Sequence, residues 1–121
     1  MDITTHRGET GAFWASPDSD VIAVGGSYGD QTVAITSAAG TRSINAGAEP
    51  RSIALSSDGR NLVVANWFGG TRVVDTETGS GRLVLRGSQK FVALSAGGYL
   101  AWANDEQVGQ DRLCVAKLAE L

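Results

Sequence analysis

Apolar residues in this chain come in short blocks of four to six positions, separated by clusters of Gly, Asp, Asn and Ser. Residues 51–87 show the arrangement in full: RSIALS, the turn sequence SDGR, NLVVAN, a Gly-Gly loop, TRVVDT, ETGSG and RLVLRG. Runs rich in Val, Ile and Leu between such punctuation are the mark of strands and turns. Asp-Gly suits a tight turn, because Asp bonds its own backbone and Gly takes positive φ without a Cβ clash. The run NLVVAN is apolar on consecutive positions, as expected of a strand covered on both faces. A helical reading fails, since no ten-residue segment keeps apolar residues at helical spacing without a glycine interruption. Only LCVAKLAEL at the C-terminal end is ambiguous, and its last residues suit a short helical turn.

The blocks repeat. SSDGRNLVVAN (residues 56–66) has a counterpart in SPDSDVIAVGG (16–26) and another in SAGGYLAWAN (95–104). Residues 12–47 align with 52–87 without a gap, at a spacing of forty. A third copy fits with small deletions: FVALS opposite SIALS, LAWAN opposite LVVAN, RLCV opposite RVVD. Four short strands per forty residues is the size of one β-propeller blade.

The segment PRSIALSSDGRNLVVANWFGGTRVVDTETG resembles the YVTN-type propeller repeat, matching it at Pro50, Asp58, Gly59, Ala65, Asn66, Asp75, Thr76 and Gly79. The related WD repeats carry Gly-His before the first strand and Trp-Asp at the end of the third. Neither pair is present here: Gly47 is followed by Ala48, and the third strands end in Ile35-Thr36, Val74-Asp75 and Val115-Ala116. The resemblance implies a fold. It implies little about activity, because propellers host many unrelated ones.

The sequence therefore predicts an all-β fold of three four-stranded antiparallel propeller blades per chain, at residues 9–47, 48–87 and 88–121. Propellers typically close with four to eight blades. Three leave two open ends, and exposed strand edges promote association. Residues 3–8 (ITTHRG) occupy the slot of an outermost strand, while the third blade lacks one of its own. The expected assembly is a homodimer closing as a six-bladed ring, with residues 1–8 completing the partner's last blade. Ile3, Thr5 and Arg7 are the closing candidates on the exchanged strand, and Leu113 and Val115 on the strand that receives it. The alternative is that the chain is a piece of a longer propeller.

Composition narrows the function classes. A net charge of −3 with scattered Lys and Arg offers no basic face for nucleic acid or an anionic membrane. The single cysteine, Cys114, cannot form an internal disulfide, and the start MDITTHRGETG has no apolar core of a secretory signal, so a cytoplasmic location is expected. The single histidine, His6, reads as a surface residue on an outer strand, and no His/Cys cluster has metal-ligand spacing, so neither a metal nor a cofactor is expected. Loop carboxylates such as Asp30, Glu49, Asp105 and Glu106 are the only acid–base candidates for an enzyme reading, which makes a binding or scaffold module the leading expectation.

Its ligand-binding candidates are Tyr28, Asp30, Asn66, Trp67, Phe68, Asn104 and Asp105, in the loops between second and third strands. Two readings of NWFGG stand. Trp67 and Phe68 cover a neighbouring blade or the dimer seam, or they form an aromatic platform for a protein, peptide or sugar. Trp14 and Trp102 lie inside strands and are expected in the core between blades.

Overall fold

The computed structural model describes residues 12–16, 20–25, 30–104 and 112–121. The first sheet is β1 (Ala12–Ala15), β2 (Ile22–Gly25), β3 (Thr32–Ser37) and β4 (Gly40–Asn45). The second is β5 (Pro50–Leu55), β6 (Asn61–Asn66), β7 (Thr71–Asp75) and β8 (Gly81–Leu85). The third is β9 (Gln89–Leu94), β10 (Tyr99–Asn104) and β11 (Leu113–Lys117), followed by a 3₁₀ turn at Leu118–Glu120. In every sheet consecutive strands pair antiparallel, in chain order. The first strands of the sheets, β1, β5 and β9, approach one another, and the sheets stand side by side as three blades.

Successive side chains in a strand point to opposite faces, and the middle blade uses both. Ile53, Leu55, Leu62, Val64 and Val74 pack in one apolar cluster with Ala12, Ala23, Val33 and Ile35 of the first blade. Ala54, Val63, Ala65 and Val73 pack in the other with Val92 and Leu100 of the third. This explains why NLVVAN is apolar without alternation: Leu62 to Asn66 are all buried. Trp14 and Trp102 are half-buried against these clusters, as their strand positions suggest.

Two strands begin before their apolar runs do: β5 starts at Pro50, ahead of RSIALS, and β9 at Gln89, ahead of FVALS. Each is held by a bulge in the register, between Pro50 and Ser52 in the second blade and at Asn104 in the third. The bulge lets the first strand start early and still present its apolar face correctly. The strand expected over residues 3–8 lies outside the described residues.

A glycine fixes the route from β6 to β7. Gly70 has φ +82°, and a Cβ there would run into the carbonyl oxygen of Leu85. Gly70→Ala therefore combines left-handed strain with a backbone clash. It should lower the unfolding free energy by roughly 2–4 kcal/mol, measured by denaturant titration. Leu62→Ala, at a position with no exposed surface, should cost about 2–5 kcal/mol by leaving a cavity in the first seam.

Candidate binding face

In a meander of this kind the connections fall alternately at two ends of each blade. One end gathers the β6–β7 loop, the C-terminal ends of β2 and β10, and the links between blades. The other gathers the tight turns.

At the loop end, Asn66 begins the β6–β7 connection by donating its backbone N–H and its side-chain amide to the carbonyl of Gly70. The Trp67 N–H donates to the carbonyl of Glu49 at 3.1 Å, which ties the loop to the start of β5. The Arg51 guanidinium then lies 4.4 Å above the Trp67 ring, a cation–π contact. The same guanidinium reaches Ser88 Oγ at 3.5 Å, so it links this loop to the entry of the third blade. Trp67 keeps 42% of its surface exposed, and Phe68 keeps 82%. The pair is thus divided: Trp67 is held in place, and Phe68 projects into solvent.

The other candidates fall elsewhere. Asp30 caps the start of its own strand, accepting hydrogen bonds from the Thr32 hydroxyl at 2.8 Å and the Thr32 N–H at 2.9 Å. These bonds, the hydroxyl first, hold its carboxyl below the ordinary aspartate value. Asn66 is only 1% exposed, so a ligand on this face does not reach it. Asn104 is half-buried and accepts from Gln89 Nε2 at 3.4 Å. Tyr28 and Asp105 lie outside the described residues, as do Ile3, Thr5 and Arg7. Leu113 and Val115 lie exposed on β11, which pairs only with β10 among the described residues.

Gln89 is the residue the sequence reading undervalued. It is buried, accepts from Thr71 Oγ1 at 2.7 Å and donates to the Arg86 carbonyl at 2.8 Å. Through these bonds it joins the second and third blades. In the third blade Gln89 pairs in register with Asn104, and in the second Pro50 pairs with Asn66. Proline has no side-chain donor, and Asn66 Oδ1 is left without a partner. Alignment of Asn66 with Asn104 was the available signal, since it put the two partners in the same slot.

The turn end carries a cleft in each seam. Between the first and second blades it encloses about 380 Å³ above Ile35 and Leu55. Arg42 spans it, donating to the Thr76 carbonyl at 3.0 Å and the Thr76 hydroxyl at 3.3 Å. Between the second and third blades the corresponding cleft is lined by Arg82, Gly97, Gly98 and Lys117. Arg82, forty residues after Arg42, donates to the Leu121 carbonyl at 2.7 Å. A cleft that recurs with the same arginine belongs to the blade seam. It marks no dedicated ligand pocket.

No protein-family model matches the chain, and no curated protein matches it in sequence. Its fold, however, is shared with solved structures. The hydrazine synthase of Kuenenia stuttgartiensis superposes with a TM-score of 0.69 at 21% identity, over 94% of this chain and 35% of that one. The β-propeller domain of Myceliophteria thermophila Cps50 (Swd1) gives 0.66 at 19% identity, over 95% and 41%. The WD40 repeats of RRP9 give 0.69 at 15%, over 97% and 38%. The chain thus has the β-propeller fold of WD40 domains, and it spans well under half the length of each of these structures.

The turn carboxylates give the face opposite the loops a pH dependence. Asp58 accepts from the Ser56 hydroxyl and the Arg60 N–H, and these bonds lower its pKa below 3.8. Asp75 accepts from the N–H groups of Glu77 and Thr78, which lower its pKa from the same value. A carboxyl whose folded pKa is depressed contributes stability above its unfolded value and loses it as pH falls through the folded one. Thermal stability should therefore decline as pH drops below 3.8. The decline should be shallower in the Asp58→Asn/Asp75→Asn variant, as followed by circular-dichroism melts.

Proposed function

We propose that this chain is a non-enzymatic, cytoplasmic propeller module that binds a protein, peptide or sugar at its loop face. In this reading two copies assemble into a six-bladed ring, with residues 3–8 of each adding a strand beside the partner's β11. One observation carries the binding reading: Phe68 stands 82% exposed beside a Trp67 that Arg51 has already fixed. An aromatic presented on an ordered loop loses little conformational freedom on binding, which is what makes such residues energetic centres of interfaces. The WD40 neighbours support a binding or scaffold role at the level of the fold. A second reading, in which the chain contributes blades to a larger propeller, is favoured by the share of each neighbour it covers.

The test is to screen the wild-type chain on peptide and glycan arrays and repeat the hits with Phe68→Ala. Hits made through this face should weaken by roughly 30-fold, with melting temperature and solution mass unchanged. Hits that bind both proteins equally would place the ligand elsewhere and overturn the reading.

A further inference from the structure

The middle strands of the blades follow a rule that has consequences at the two ends of the chain. In β2, Ile22 and Val24 point to one face and Ala23 and Gly25 to the other. In β6 the same division puts Leu62 and Val64 on one face and Val63 and Ala65 on the other. In β10 it puts Leu100 and Trp102 opposite Ala101 and Ala103. Each blade therefore has a bulky face and a slimmer one. In both internal seams the slimmer face of one blade meets the bulky face of the next. Ala23 packs in one cluster with Leu62 and Val64, and Ala65 in another with Leu100.

Among the described residues two blade faces are left uncovered, and in the repeat they are opposite faces. The first blade shows its bulky face, where Phe13 stands beside Val24 and is 78% exposed. The equivalent of Phe13 in the second blade, Ile53, is 3% exposed because the first blade covers it. The third blade shows the other face, slim along its middle strand at Ala101 and Ala103, with Phe91 and Val115 on the flanking strands 54% and 60% exposed. Leu113, at the edge of that face, is 72% exposed. The free faces are thus the two halves of a seam that the chain already builds twice.

We infer that the occupant is a second copy of this chain, docked head to tail: the Ala93–Ala101 face of one copy receives the Phe13–Ile22–Val24 face of the other. The inference deepens the homodimer reading above and specifies its geometry. Both internal seams join opposite faces of consecutive blades, and pairing like with like would reproduce neither. A head-to-tail contact between two half-rings closes by two-fold rotation, so both free faces are used and none remains to propagate a chain of copies.

The experiment measures solution mass by sedimentation for wild type, Phe13→Glu and Ala101→Arg, with circular dichroism to confirm that each is folded. Both positions lie on faces that nothing described in the chain covers, so both variants should still fold, with a melting temperature lowered by the loss of the seam. Wild type should be a dimer, and each variant should dissociate at least about a hundredfold more readily. A mixture of the two variants should regain dimer mass, because the intact face of each meets the intact face of the other. If only one variant, or neither, shifts the mass while wild type is dimeric, the head-to-tail seam is overturned and the homodimer reading survives. A folded wild-type monomer would overturn both, and would assign the faces to blades of another chain.

Discussion

The structure depends on one constraint: a blade is a small sheet with two apolar faces, and only another blade can cover each of them. From Leu62 to Asn66 every residue of NLVVAN is buried, because the strand has a neighbour on either side. Burying one such side chain is worth about 1.5–3 kcal/mol, and the middle blade gathers that gain on both faces of three strands. The outer blades gather it on one face only. Stability in such repeat structures is shared between each unit and its neighbours, so the order of the ends follows from whatever lies against them.

Polar groups serve the same seams, and they do so at the edges where the apolar contact ends. At the turn end Arg42 and Arg82, in equivalent positions, each reach a carbonyl of the next blade. At the loop end Gln89 bonds Thr71 of the second blade and sits beside Asn104 of the third, and Ser52 Oγ accepts from the Val92 N–H at 3.1 Å. These bonds are individually modest. Their effect is directional: they fix how far one blade slides and rotates on the next, which dispersion contacts leave open.

Most of the fold was legible because the repeat is an expression of packing. The period of forty, the polar turns that punctuate it and the unbroken apolar run of β6 in the twice-covered middle blade all follow from the packing of blade on blade. What the sequence concealed lies where two blades meet with non-repeating partners. Gln89 reads as a loop residue until its register against Asn104 is known, and Asn66 reads as accessible until the loop is seen to close over it. The stacking of Arg51 on Trp67 is likewise a contact between residues sixteen apart that no local pattern announces.

The internal repeat also offers a way to separate packing from function without any second sequence. Positions that obey it, such as Ala23 and Val63 or Arg42 and Arg82, are accounted for by the seam they build. Positions that break it need another cause. Trp67 stands where the first blade has Ser27, forty residues earlier, and Trp67 is used: it anchors Arg51, which in turn reaches the third blade. Phe68 has no such use among the described residues, and most of its surface is left to solvent. Phe13 is comparably exposed, but its repeat equivalent Ile53 is buried in a seam, so its exposure is that of a blade without a neighbour. The repeat places Phe68 opposite Tyr28, which lies outside the described residues, so it assigns Phe68 to no seam among them. Of the three exposed phenylalanines, Phe13, Phe68 and Phe91, Phe13 suits the blade contact and Phe68 the ligand contact proposed above.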